Sequence, residues 1–181
     1  MRASWLMLGM VACGGAKGGE NASDSAGSAP AASAPAGPIR ADSTGPVPMD
    51  ISAEIGGKTY PMIASGECGY EPDAAIFDQP AEMWIARAGG GANGPYINLS
   101  VWKLKSGGPE QFNLAVQAGS PDLHEISTVI GGATRGSGTA LVTRSGNGGV
   151  ITVDGTDATG AAVKVAITCA RFDPVVEAGG R

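Results

Sequence analysis

Residues 50–57 read Asp-Ile-Ser-Ala-Glu-Ile-Gly-Gly, and this stretch decides the fold class predicted for the chain. Apolar and polar residues alternate strictly through its first six positions, which is the period of a half-buried β-strand. The Gly56-Gly57 pair that follows is typical of a tight hairpin turn. From Lys58 onward the apolar alternation resumes, and Pro61 indicates that the return strand has an edge position. The domain is therefore expected to open with a β-hairpin.

The same alternation recurs along the rest of the chain. It predicts strands within residues 97–101, 112–116, 140–142, 150–153 and 163–169, with a Gly/Asn hairpin turn over 144–149 and a second turn over 154–160. Residues 82–87 and 126–130 are weaker strand candidates, and Leu123, Ile126 and Ile130 also fit one short helical turn. Thirty glycines and only 5% aromatic residues favour short strands joined by turns. We expect an all-β fold, an antiparallel β-sandwich or barrel-like sheet of about seven to nine strands.

The N-terminus has the pattern of an export signal. Met1 and Arg2 precede an apolar run over residues 3–12, which is too short to span a bilayer as a helix. The run ends in Met10-Val11-Ala12-Cys13, which resembles the lipobox of bacterial lipoproteins. That resemblance implies cleavage before Cys13 and a lipid on its thiol, which would attach the chain to a membrane. The alternatives are an ordinary signal peptide with an incidental cysteine and a wrongly assigned translation start.

Residues 13–48 are rich in Gly, Ala, Ser and Pro and have few apolar side chains to offset the entropy of ordering them. They are expected to form a disordered stalk between the lipidated Cys13 and the folded part. The sequence therefore divides into a signal peptide (1–12), this stalk (13–48) and one β-rich domain (49–181). The location predicted from this order is the cell envelope, with the domain facing the exterior or the periplasm.

The charge pattern argues against nucleic acid as a partner. The formal net charge is −5, and the lysines and arginines are scattered singly, so no basic stripe is available to neutralise phosphates. No basic residue lies between Lys58 and Arg87, a stretch that contains the acidic set Glu67, Glu71, Asp73, Asp78 and Glu82. This set would suit a cation or a basic partner, but we interpret it as a solvated loop.

Cys68 and Cys169 are the two cysteines left when Cys13 carries lipid. Each lies at an inward-facing position of its predicted strand. Because an exported domain folds in an oxidising compartment, we expect a disulfide between them. Two buried free thiols or a metal-binding pair are the alternatives. With a single histidine and no Cys-x-x-Cys, the sequence does not favour zinc, and no metal or cofactor is predicted.

The order of motifs resembles the mycobacterial LpqH-type lipoprotein antigen family. The shared features, in addition to the lipobox and the stalk, are Ile-Gly-Gly-Lys at 55–58, Pro-Asp-Leu-His-Glu-Ile at 121–126, Gly-Ser-Gly-Thr-Ala-Leu-Val at 136–142, Ile-Thr-Val-Asp-Gly-Thr at 151–156 and Val-Ala-Ile-Thr-Cys at 165–169. The resemblance implies a surface lipoprotein with a β-rich fold and a Cys68–Cys169 disulfide, recognised by host immune receptors through its lipid. It brings no catalytic residues with it.

Three segments contain residues that could carry chemistry. His124, the only histidine, would have to serve any Ser-His-Asp site, with Asp122 or Glu125 beside it, but no Gly-x-Ser-x-Gly motif is present and a surface or capping histidine is favoured. The glycine-rich 131–138 lacks the Gly-Lys-Ser/Thr ending of a phosphate loop and is interpreted as a turn. Residues 154–157, Asp-Gly-Thr-Asp, could offer carboxylates to calcium but lack the EF-hand pattern, and Asp-Gly is a common turn pair.

Trp84, Tyr96 and Trp102 form a tentative ligand surface, with packing in the core or at a barrel rim as the alternative. The function expected from the whole sequence is a membrane-anchored lipoprotein that displays a non-enzymatic domain as an envelope-structural or interaction module. Its partners would be the membrane, through lipid on Cys13, and an envelope or host protein. The alternatives are a carrier of a small apolar ligand or lipid and, less favoured, a hydrolase that uses His124.

Overall fold

The computed structural model describes residues 45–89, 95–119 and 122–175. The predicted signal peptide, Cys13 and the stalk before residue 45 lie outside these ranges. No helix within them is long and apolar enough to cross a membrane.

The described part of the chain consists of β-strands joined by turns and loops. The strands are β1 (Val47–Ile55), β2 (Lys58–Ile76), β3 (Gln79–Gly89), β4 (Tyr96–Leu104), β5 (Gln111–Gln117), β6 (His124–Ser127), β7 (Ser137–Ser145), β8 (Gly148–Thr156), β9 (Ala162–Cys169) and β10 (Asp173–Pro174). Strand β1 begins inside the range assigned to the stalk. The predicted opening hairpin is confirmed, and Gly56 and Gly57 form its turn with φ angles of +58° and +82°.

The strands form one antiparallel sheet in the order β6-β5-β4-β3-β2-β1-β9-β8-β7, with the short β10 parallel to β2 beside this path. The sheet curls until its two ends nearly meet. Ser127 at the end of β6 and Arg135 just before β7 exchange two backbone hydrogen bonds of 2.7 and 3.0 Å. The fold is thus an antiparallel sheet of nine strands that is nearly closed into a barrel, which confirms the all-β, barrel-like prediction.

Strand β2 changes its paired neighbour along its length, at a point that we call the crossover. Its first part, up to Gly66, pairs with β1, whereas its second part, from Glu67, pairs with β3. At the crossover, a Cβ on Gly66 would lie 2.1 Å from the Arg87 carbonyl oxygen, so only glycine fits there. Pro61 lies in the first part, which pairs with β1 on one side, whereas the pairing with β3 begins only at Glu67. Pro61 therefore has the edge position that was predicted for it.

The core lies inside the curled sheet and is built from the inward member of each alternating pair. Its largest fully buried side chains are Phe112, Met49, Ile97, Leu99, Ile126, Ile151 and Ile167. Cys68 on β2 and Cys169 on β9 are both buried in this core and form a disulfide, with their Cα atoms 6.2 Å apart. The predicted disulfide is confirmed, and the alternatives of free thiols and a metal-binding pair are wrong for this structure.

Two local predictions need correction. The weak strand candidate at 126–130 begins earlier, as β6, and its helical alternative is wrong because the residues pair with β5 and then enter a loop that turns at 129–132. The acidic set does not lie on a loop: its members belong to β2, to β3 and to the tight turn between them at Phe77 and Asp78. The candidate at 82–87 is confirmed as the middle of β3.

The disulfide spans 101 positions of sequence, so it excludes many extended conformations of the unfolded chain. Replacing both cysteines, Cys68→Ala with Cys169→Ala, is expected to lower the free energy of unfolding by up to about 4.7 kcal/mol, the chain-entropy value for a loop of roughly 100 residues. Urea titrations of the oxidised wild type and the double variant measure the difference. Each single variant should lose about as much as the double, because either change removes the same bond. Equal stability of wild type and double variant would contradict this expectation.

Candidate functional site

A groove with a volume of about 500 Å³ lies on the outer face of β3–β6. We call it the outer groove. Its floor is polar and is formed by Arg87, Asn98, Ser100, Asn113, Glu125 and Ser127. These residues alternate with the buried side chains of the same strands, so the pattern that fills the core also places them outside.

The register of the sheet aligns the floor residues in two rows. In one row, Arg87 on β3 faces Asn98 on β4, which in turn faces Ala115 on β5. In the other, Asn113 on β5 lies between Ser100 on β4 and Ser127 on β6. Directly opposed side chains on one face lie about 5 Å apart, so the second row is a continuous polar strip across the strands, whereas Ala115 interrupts the first row.

Hydrogen bonds within the outer groove fix the orientation of its side chains. Arg87 donates through Nε to Asn98 Oδ1 at 3.3 Å and through a terminal nitrogen to Glu67 Oε2 at 3.1 Å. Ser127 Oγ donates to Asn113 Oδ1 at 2.6 Å. Arg135 forms an ion pair with Glu125. Each arginine of the groove is therefore matched by a carboxylate, and the amides are held in place.

Phe77 and a loop over residues 128–136 form the walls of the outer groove. Phe77 has φ +46° and Asp78 has φ +63°, so both residues of this two-residue turn are left-handed. That conformation costs a non-glycine residue about 1–2 kcal/mol. Phe77 is 59% exposed, and its ring lies against Gly131. An aromatic side chain is thus held at the rim of a polar groove, at a cost in backbone strain.

The loop that forms the other wall is attached to β5. The Thr128 hydroxyl accepts a hydrogen bond from the Phe112 backbone at 3.0 Å, and the Thr128 backbone returns one to the Phe112 carbonyl at 2.9 Å. The buried Gln111 accepts one from the Ile130 backbone at 2.9 Å. These bonds hold the wall at a defined height above the floor.

A second polar constellation lies inside the barrel end. His124 faces inward because it pairs with the buried Val116, and its Nδ1 lies 2.7 Å from Asp157 Oδ2 in the β8–β9 turn. The Asp157 side chain is 3% exposed and that of His124 is 15% exposed. The other Asp157 oxygen accepts bonds from the Thr159 backbone and hydroxyl and from the Ala161 backbone, at 2.7–2.9 Å. Of the two favoured interpretations of His124, a surface or a capping histidine, the surface position is therefore wrong, because the side chain is largely buried and paired.

The Asp157 carboxylate is held in its charged form. Burial alone would raise the pKa of the Asp157 carboxyl, but the hydrogen bonds from His124, Thr159 and Ala161 outweigh it and place the pKa far below its usual range. Among the described residues, no serine hydroxyl hydrogen-bonds to His124, so the pair lacks the nucleophile of a hydrolytic triad. What the arrangement does is tie β6 to the β8–β9 turn.

The tentative ligand surface of Trp84, Tyr96 and Trp102 is not formed. Trp84 faces Val101 across the β3–β4 pair and is buried, whereas Tyr96 and Trp102 point to the opposite face of β4. This separation follows from strand alternation, since Trp102 directly follows Val101. Instead, Trp84 stacks on Tyr70 with ring centroids 5.1 Å apart, and its buried Nε1 has no partner among the described atoms.

The two remaining candidate segments, 131–138 and 154–157, lie in strands, turns and loops of the barrel. Residues 131–136 form turn and loop, and Ser137 and Gly138 begin β7, so the phosphate-loop pattern has no helix after it. Asp154 is exposed and forms an ion pair with Lys164 at 3.5 Å, apart from the buried Asp157. Within the described ranges, no three His, Cys, Asp or Glu side chains are arranged to hold a metal ion.

The outer groove was not predicted from the sequence. In the sequence, Asn98, Ser100 and Asn113 are only polar positions between the apolar residues of two predicted strands. The signal that could have pointed to them is the run of amide and hydroxyl side chains at the outward positions of neighbouring strands. Arg135 and Phe77 carried no such signal, because they reach the groove from loops.

Stability at low pH should depend on Asp157. Because its folded-state pKa is depressed, its contribution is complete above the unfolded-state pKa near 4 and is lost as the pH falls toward the lower folded-state value. Asp157→Asn is expected to cost about 2–3 kcal/mol at pH 7, where it removes hydrogen bonds to a charge. The gap between wild type and variant should narrow from pH 5 to pH 2, as measured by urea unfolding. The matched control Asp154→Asn should follow the wild-type curve, and a constant gap for Asp157→Asn would contradict the assignment.

Comparison of this chain with protein-family models, with curated proteins and with solved structures gives no match.

Proposed function

We propose that the chain is an exported lipoprotein, anchored to a membrane through lipid on Cys13, that displays its β domain as a non-enzymatic interaction module of the cell envelope. The observation that carries this proposal is the Cys68–Cys169 disulfide. The chain has three cysteines, so the disulfide leaves only Cys13, at the end of the apolar N-terminal run.

The disulfide supports export because structural disulfides persist in oxidising compartments and are rare in the cytosol. Export would bring Cys13 to the machinery that acylates lipobox cysteines. Two or more acyl chains, at about 0.8 kcal/mol per buried CH₂, would hold the chain on a membrane stably, whereas a single chain would not. The resemblance to LpqH-type lipoprotein antigens points the same way, and with it comes the proposal of a host or envelope partner.

The described domain supports binding more than catalysis. Its outer groove has a polar floor and lies on the outside, where a partner has access, and its buried His124–Asp157 pair lacks a hydrogen-bonded serine among the described residues. The carrier alternative gains no support from this geometry. The core side chains Phe112, Leu99 and Ile167 fill the inside of the barrel, and an apolar ligand would find a polar floor in the outer groove.

The anchor is tested by Cys13→Ser in a bacterium that processes lipoproteins. The wild type is expected in the membrane fraction, with an intact mass showing acylated Cys13 at its N-terminus and no free thiol. Cys13→Ser should lose the lipid, because a serine hydroxyl does not form the thioether.

The matched control is Met10→Leu, which introduces the residue usual at that lipobox position and should keep the acylation. A wild-type mass that begins at another residue, or that carries no acyl group, would refute the anchor.

A further inference from the structure

The outer groove offers hydrogen-bonding groups without a surplus of charge. Arg87 is paired with Glu67 and Arg135 with Glu125, while Asn98 and Asn113 contribute amides that both donate and accept. A charged ligand would have to compete with an existing ion-pair partner, at a cost in binding free energy. A neutral ligand rich in hydroxyl groups can use the remaining donors and acceptors without that cost.

The shape of the outer groove suits a linear ligand. Its lining residues come from four neighbouring strands, β3 to β6, so the groove runs across these strands over about 14 Å, three strand spacings. Its volume of about 500 Å³ is within the range of small-molecule sites. The groove is open to solvent, so a chain longer than the groove could extend beyond both ends.

The apolar part of the outer groove is an exposed aromatic ring. Phe77 keeps its ring at the rim despite a left-handed backbone that any Asn or Gly would adopt at lower cost. A sugar ring has an apolar face of C–H groups, which packs on an aromatic ring, and an edge of hydroxyls, which pairs with planar amide, guanidinium and carboxylate groups. Both complements are present here within one groove.

A peptide fits the outer groove less well. Peptides that bind β-domains commonly add a strand at an open sheet edge and place side chains in pockets. The floor of this groove is the face of β3–β6, and the backbones of β3, β4 and β5 are paired on both sides. Backbone pairing with a peptide is thus blocked on these three strands.

We propose that the outer groove binds a neutral, linear oligosaccharide, with Asn98 and Asn113 hydrogen-bonding its hydroxyls and Phe77 packing on a ring face. The inference deepens the proposed function, because it rests on the domain being an interaction module and names the class of ligand. It does not depend on the lipid.

The full chain in detergent is titrated by calorimetry with a panel of neutral linear hexasaccharides of glucose, mannose and N-acetylglucosamine, in α- and β-linked forms. Saturable binding of at least one of them is expected. Asn98→Ala and Asn113→Ala should each weaken it about tenfold, the effect of losing roughly 1.4 kcal/mol of hydrogen bonding.

Phe77→Gly separates a binding role from a structural one. It relieves the left-handed strain, so the Tm should be unchanged or higher, while the affinity for the hexasaccharide falls about tenfold or more. The matched control is Ile63→Ala, which removes another exposed apolar side chain, 91% exposed on the part of β2 that pairs with β1. It should leave the affinity unchanged.

Three outcomes would overturn the inference. The first is that no hexasaccharide of the panel binds. The second is that binding persists unchanged in the Asn98, Asn113 and Phe77 variants. The third is that a neutral Ser/Asn-rich decapeptide binds in the groove and no sugar does. None of these results affects the anchor, which is judged by the acylation of Cys13, so failure of the two proposals is distinguishable.

Discussion

The fold depends on one constraint: a single sheet of nine strands must bring its two ends together. An open sheet of this length would leave two edges with unpaired backbone groups and would expose its apolar face. Closure occurs where β6 meets the β7–β8 side. Ser127 and Arg135 share the backbone bridge, and the Ile126 side chain lies against Gly155, where a Cβ would be 3.0 Å away. The buried His124–Asp157 pair completes the joint.

Closure also explains how the disulfide and the groove relate to the rest of the structure. The disulfide joins β2 to β9 next to the crossover, where the partner of β2 changes from β1 to β3, so it fixes that part of the chain. Closure at β6 then sets the position of the loop after that strand. Since this loop is one wall of the outer groove, the shape of the groove depends on the same joint that protects the core.

Local patterns predicted much of this fold. Strict alternation identified β1, β4, β5 and β9, and the Gly56-Gly57 pair marked the first hairpin. Because both cysteines fall at inward-facing positions of their strands, the disulfide was predicted as well. The failures have physical causes. The β2–β3 turn uses Phe77 and Asp78, which lack the composition of a tight turn, so the length of β2 was not recognised. The partner of His124 lies 33 positions away and meets it only through closure, which no local pattern encodes.

The outer groove could not be predicted for a related reason. Its floor comes from four strands, and whether Asn98 and Asn113 are neighbours depends on the register between strands rather than on either strand alone.

The open shape of the outer groove limits its affinity for a single ligand. A groove that buries only one side of a ligand is expected to bind weakly, since unburied ligand surface contributes no hydrophobic free energy. A membrane that holds many lipid-anchored copies would let one long polysaccharide engage several domains at once, and the combined affinity would greatly exceed that of a single groove. Anchor and groove would then act together, because the lipid would gather many copies of the domain and so compensate for the weak binding of each single groove.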